Sequence, residues 1–236
     1  MTAIPSQSAT PDASASHVDQ DPRFSRFIVD LFGVMAYGEL SAFERLSSDA
    51  RFSPTLRDRA ALGRLAVIEF EHFEMVSDHL AGMGVDAEEA MTPFQPSIDS
   101  FHERTRPADW YESLMKAYVI DAISGDFYKA LAGRLDEGTR TLINRIQSAD
   151  GQGLLQTRLK SALSDDPRLA SRLALWGRRL VGEALTQAQR VGIEREFLGG
   201  LLFSNANENQ EKDMVKLFAQ LTRNHSRRMS SLGLTA

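Results

Sequence analysis

Glu39 sits in the middle of an apolar helical stripe, and that placement limits the folds open to this chain. Phe32, Met35, Phe43 and Leu46 stand seven and four residues before it and four and seven after it. Glu69 has matching surroundings, with Leu62, Leu65, Phe73 and Val76 at the same spacings. Residues so spaced share one face of an α-helix, so each carboxylate lies on a face that turns inward. A buried carboxylate without a partner is very costly, and it needs a cation or a hydrogen-bond donor. His72 follows one turn after Glu69, in the run Ala66-Val-Ile-Glu-Phe-Glu-His-Phe-Glu-Met75. One helix giving Glu and the next giving Glu-x-x-His supplies half the ligands of a carboxylate-bridged metal site in a four-helix bundle. The competing reading is a core Glu or His bonded to another side chain, with no metal. Glu71 and Glu74 fall elsewhere on the helix and are expected to be solvated.

A second pair repeats the pattern in altered form. Asp121 precedes Asp150 by 29 residues, much as Glu39 precedes Glu69 by 30. Each pair would sit on two successive antiparallel helices, so two hairpins would turn four carboxylates inward. Asp121 has Leu114, Ala117, Gly125 and Tyr128 on its stripe, and the small neighbours leave room for a site. Tyr118 and Tyr128 are candidates to hydrogen-bond a ligand carboxylate. Asp126 competes with Asp121 for the inward position. Asp150 follows Ile143 and Ile146 and precedes Leu154, but the residue three places on is Gly153 instead of His. Gln152 lies on a different face and does not replace the imidazole. The competing reading of Asp150-Gly-Gln-Gly153 is a helix break, since two close glycines weaken a helix. Glu183 is a reserve ligand, although Trp176, Leu180, Gln187 and Arg190 around it suit a salt-bridged Glu better. His225, in Arg223-Asn-His-Ser-Arg-Arg228, reads as part of a solvated basic cluster near a helix C-terminus.

The ligand inventory is short. The 236-residue chain has no cysteine, which excludes disulfides, thiolate metal sites and cysteine catalysis. Any metal must use carboxylates and one or more of five histidines. The formal net charge of −5 argues against a dedicated nucleic-acid binder, although local basic patches remain. With 42% hydrophobic and 25% charged residues, the composition is that of an ordinary water-soluble globular chain.

Residues 1–21 are rich in Ala, Ser, Pro and Asp and read as a disordered tail without a targeting pattern. No apolar run is long enough to span a membrane, so the expected location is the cytoplasm. Strand signals are nearly absent. Periodicity predicts helices over roughly 22–47, 53–83, 108–133, 137–163, 166–196 and 209–231, with a break over roughly 199–207. Between the second and third helices, Pro93, Pro96 and Pro107 mark a polar connection. The chain therefore divides into a tail (1–21), a four-helix bundle (22–163) and C-terminal helices packed on it (164–236).

These motifs resemble the ferritin-like superfamily. More narrowly, the chain is similar to the tRNA hydroxylase of 2-methylthio-N6-isopentenyladenosine and its actinobacterial-type relatives. The resemblance covers about residues 22–163 and rests on Glu39, Glu69-x-x-His72, Ile120-Asp121 and the Leu135-Asp-Glu137 turn. The later run from Leu173 to Gln189 resembles those relatives too. It implies an all-α ferritin-like bundle with a non-haem di-iron centre that activates O₂ for hydroxylation. Glu39, Glu69 and His72 would hold one iron and Asp121 and Asp150 the other, with Glu69 and Asp150 as bridges. The shorter Asp ligands and Gly153 favour a weaker site, mononuclear or tolerant of manganese. The partners implied are a tRNA or a small-molecule substrate. Arg140, Arg145, Arg158 and Lys160, or Arg168, Arg172, Arg178 and Arg179, would then face tRNA phosphates. The alternative is a non-catalytic bundle that acts in homodimerisation or partner binding.

Overall fold

The computed structural model describes residues 22–131, 135–148, 151–195 and 209–235. Every regular element among them is helical. The first two helices, α1 (Pro22–Asp49) and α2 (Leu56–Gly82), form a hairpin joined by a 3-10 turn at Ala50–Phe52. Their direction follows from two ring contacts, Phe32 with His79 at 4.5 Å and Phe43 with Phe70 at 5.1 Å, which run antiparallel. Thr55 starts α2: its hydroxyl oxygen accepts the Asp58 N–H at 3.1 Å, the N-cap bond that a β-region Thr supplies. Gly84, at φ 74°, ends the turn after α2 in the left-handed region.

The expected polar connection is mostly helix. It holds α3 (Ala87–Met91), a 3-10 turn at Thr92–Phe94 and α4 (Gln95–Arg104). Pro93 and Pro96 each sit in a first turn, where the missing N–H has no intrahelical role, so they begin helical turns here and interrupt none. The third long helix, α5 (Trp110–Leu131), lies close to its expected place. The helix expected over 137–163 is two, α6 (Glu137–Ile146) and α7 (Gly151–Leu163). Asp136 caps α6 by accepting the Thr139 N–H at 3.0 Å, and Asp166 caps α8 (Pro167–Glu194) with two bonds of 2.9 Å. The last helix is α9 (Asn209–Ser231). The N-terminal tail and the break expected over 199–207 lie outside the described residues.

Two apolar clusters form the core. One joins Phe27, Leu31, Phe32 and Met35 of α1 to Val76 and Leu80 of α2, Phe94, Leu131 of α5 and Ile146 of α6. The other joins Leu62 and Leu65 of α2 to Leu114 and Tyr118 of α5, Leu159 of α7, Leu173 and Leu180 of α8 and Met229 of α9. Burying a side chain such as Phe32, which has no exposure, contributes roughly 1.5–3 kcal/mol. Polar clasps fix the outer helices: Trp176 Nε1 donates to the Glu112 carbonyl at 3.0 Å, and Arg228 pairs with Asp126 at 2.6 Å. At two points helices approach too closely for a side chain. A Cβ on Gly33 would lie 2.2 Å from the Ala90 carbonyl oxygen, and one on Gly177 would lie 2.4 Å from the Met229 Cε.

Candidate metal centre

Glu39 projects from α1 and Glu69 and His72 from α2 at the level where the two core clusters meet. Met35 and Val76 lie on one side of the group and Leu46 and Leu65 on the other. Each of the three residues offers a donor atom, and these atoms lie within 4.8 Å of one another. His72 Nδ1 stands 3.5 Å from a Glu69 oxygen and 3.7 Å from a Glu39 oxygen. The side chains are 10%, 22% and 13% exposed for His72, Glu69 and Glu39, so little water screens them. Phe70 touches both Phe43 and Phe73, with ring centroids at 5.1 Å and 5.6 Å, and builds an aromatic wall along the α1–α2 seam.

The donor set fits a divalent transition metal. Donors about 2.1 Å from a common cation stand roughly 3.0 Å apart at a right angle and roughly 3.4 Å apart at a tetrahedral angle. The two separations from His72 Nδ1, 3.5 Å and 3.7 Å, are slightly wider than these. One imidazole with two carboxylates suits iron, manganese or zinc.

Without an ion the group balances its own charge. Burial pushes the Glu39 carboxyl up to about 8, with Glu69 adding to the rise against the pull of His72. Burial also works against ionised Glu69, but its bonds to His72 and Glu39 win and hold it below the usual carboxylate range. Burial disfavours the charged His72 ring, yet Glu39 and Glu69 together raise it to about 9. At neutral pH Glu39 therefore keeps a proton, Glu69 is ionised, and His72 is an imidazolium between them. Tyr128 of α5 is buried nearby, and burial above all holds its hydroxyl proton more tightly than in water.

Residues 22–205 match a family model described as a ferritin-like domain of actinomycetes. The chain belongs to this ferritin-like family. Among solved structures, this ferritin-like chain is similar to a Synechococcus protein described as having aldehyde deformylating oxidase activity. The TM-score is 0.62 at 17% sequence identity, over 89% of this chain and 97% of that one. At that identity the likeness shows the fold alone. A search of curated proteins finds no match.

The second half of the site differs from expectation. Asp121 does not join Glu39, Glu69 and His72; it is exposed on α5. The buried arc of α5 centres on Met115, Tyr118 and Ala122, and Asp121 falls at its edge. The room expected beside Gly125 is taken by Gln147, whose Oε1 would lie 2.8 Å from a Cβ there. Asp150 lies outside the described residues. Gly153 is exposed near the start of α7.

Asp126 is engaged by Arg228, and Glu183 pairs with Arg104 at 3.6 Å and accepts from Gln187 at 2.9 Å. His225, expected to be solvated, is 3% exposed. Leu221, His225 and Met229 make the inward stripe of α9, with Leu232 buried just past its end, and burial pushes the His225 ring down to about 4. Glu71 and Glu74 are exposed, as their helical phase requires.

One buried polar group where α4 meets α5 belongs to no motif in the sequence. Lys116 of α5 is 6% exposed; its Nζ donates to the Thr105 carbonyl at 3.0 Å and stands 5.2 Å from the Phe101 ring centre. Burial pushes Lys116 down to about 8. His102 of α4 lies 3.2 Å from the Ser41 hydroxyl, and burial followed by the charges of Lys116 and Arg45 drives it down to about 3. Its one sequence signal is Lys116 interrupting the apolar run from Leu114 to Val119.

Proposed function

We propose that this ferritin-like protein binds iron through Glu39, Glu69 and His72 and uses it in an O₂-dependent oxidation of a small molecule. The observation that carries this reading is the convergence of three donors within 4.8 Å in a little-hydrated seam. An oxidase on the same fold, the Synechococcus protein, supports the reaction class. Bound iron supplies one-electron chemistry with O₂, and an external donor must provide the electrons for a hydroxylation. The chain's own share is to hold the cation with the three donors, to limit water with Phe43, Phe70 and Phe73, and to keep the Tyr128 proton in place.

Hydroxylation of tRNA is a narrower reading that rests on the motif resemblance. Three of the arginines it would use already pair with carboxylates, Arg158 with Asp58 at 2.7 Å, Arg140 with Glu137 at 2.7 Å and Arg172 with Asp109 at 2.5 Å, whereas Arg145, Lys160, Arg168 and Arg178 are exposed.

A second reading, a bundle without chemistry, is favoured by the charge balance of the trio, which satisfies itself without an ion. Metal stoichiometry separates the two. Protein purified without chelator, and again after anaerobic Fe(II) loading, is expected to hold at least one iron per chain, lost in His72→Ala. Two irons per chain would restore a di-iron centre that recruits further carboxylates. No iron, manganese or zinc under either condition would overturn the oxidase reading and leave the bundle without chemistry.

A further inference from the structure

The outward face of α2 points to a partner that is a second copy of this chain. Positions 56, 60, 63, 67, 71, 74 and 78 lie on one stripe, and the series reads the same in both directions about Val67. Leu56 is 79% exposed and Val67 is 54% exposed on that stripe. A Cβ at Gly63 would meet nothing within 4 Å. The middle and one end are thus open, apolar and closely approachable.

The charges along this face are sorted by sign. Arg57, Arg59 and Arg64 are exposed in the first half of α2, and Glu71, Glu74 and Asp78 in the second. That order opposes the helix dipole, which favours acids near the N-terminus and bases near the C-terminus. None of the six takes part in an ion pair among the described residues. A sorting that is unfavourable within one helix becomes favourable when an identical helix lies antiparallel across it.

We propose that α2 is the contact helix of a symmetric homodimer whose two-fold axis passes through Val67. About that axis Val67 meets its own copy. Arg64 comes opposite the second copy's Glu71, Arg59 opposite its Glu74, and Arg57 opposite its Asp78. Symmetry makes each pair twice, which is the self-complementarity that an isologous interface requires. The antiparallel arrangement also sets the two helix dipoles against each other. The long axis of contact is the length of α2, about 40 Å for its 27 residues. This inference is independent of the metal reading, because the face it uses is opposite to the one that carries Glu69 and His72.

The test uses the full chain in sedimentation equilibrium and a single introduced thiol. The wild type is expected at twice the 26.2 kDa chain mass. Arg64→Glu and Glu71→Arg should each raise the dissociation constant about tenfold or more, since each replaces two attractions by two repulsions. The double variant Arg64→Glu/Glu71→Arg should restore it. Because the chain has no cysteine, Val67→Cys introduces its sole thiol. On the axis it should form an intermolecular disulfide under mild oxidation, which needs Cβ atoms about 3.8 Å apart. Leu175→Cys, at a residue 62% exposed on α8, should not. Circular dichroism checks that each surface variant keeps its helices. A wild type that stays monomeric, a dimer indifferent to both charge reversals, or a disulfide formed as readily at 175 as at 67 would overturn the proposal.

Discussion

Removing the His72 imidazole leaves two carboxylates facing each other across α1 and α2. Glu39 already carries a proton, so the loss is moderate: His72→Ala is expected to lower the stability of metal-free protein by about 1–3 kcal/mol in urea unfolding. The same group sets a pH dependence. Glu39 and His72 both have folded values above their unfolded ones, so their stabilisation is complete at low pH. It fades as pH rises, from 4.5 to about 8 for Glu39 and from 6.5 to about 9 for His72. Metal-free protein should therefore melt at a lower temperature at pH 9 than at pH 6. A bound divalent ion takes the place of those protons, so loading at pH 7 should release protons, measurable by calorimetry in buffers of different ionisation enthalpy. At this scale the sequence was legible where the helix was continuous. Four apolar neighbours each identified Glu39 and Glu69, and the i, i+3 spacing brought in His72. Asp121 has apolar neighbours too, but its stripe is broad, and no periodicity decides which residue at a broad edge turns inward. Lys116 and His102 were hidden because their partners, Thr105 and Ser41, come from elements distant in sequence.

The elements tell the same story with different physics. Periodicity alone places most helix ends within a few residues, and Asp136 and Asp166 cap two of the helices at the predicted starts. The division of α6 from α7 is foreshadowed only by Gly151 and Gly153, and α3 and α4 are concealed because a proline that starts a helical turn looks the same in sequence as one that breaks it. Helix-to-helix distances leave no mark on periodicity at all, and Gly33 is the clearest case. Its Cβ would clash with a backbone carbonyl that cannot move aside, so Gly33→Ala is expected to cost about 2–3 kcal/mol. Gly177→Ala should cost less, since the obstructing Met229 terminus is flexible. Gly182, exposed in the middle of α8 with nothing within 4 Å, should behave oppositely, and Gly182→Ala should gain about 0.5–1 kcal/mol. Thermal unfolding of the three variants side by side checks the order.

Across the whole molecule, distant parts of the chain are tied by buried charge. Asp30 of α1 is 4% exposed and is gripped by Arg195 just beyond α8, whose guanidinium also lies over the Phe94 ring. Arg195→Ala would leave that carboxylate buried without its cation and should cost about 3–5 kcal/mol in denaturant unfolding. Asp30→Leu/Arg195→Met, which removes both charges, should recover most of the loss. The acid side of the stability curve begins with His102 and His225, and the depressed carboxylates Glu69, Asp126 and Asp136 add to it at lower pH. The two histidines' folded values of about 3 and about 4 lie below the unfolded value of 6.5, so stability is complete above pH 6.5 and falls as pH drops below it. With the alkaline limb from Glu39 and His72, metal-free protein should be most stable between these slopes, which melting temperatures from pH 4 to pH 9 would trace.

The donors of the centre all lie between positions 39 and 72, inside one helical hairpin. Contacts so local close early in folding, because little chain entropy is spent in joining them. During synthesis the N-terminal hairpin emerges first, before α5, α8 and α9 can cover its inner face. If the trio binds metal as proposed, an ion that meets the nascent hairpin would be captured while the donors are still open to solvent, and the later helices would then seal it. Under the proposed metal reading, the order of the chain would make uptake a matter of timing as much as of affinity.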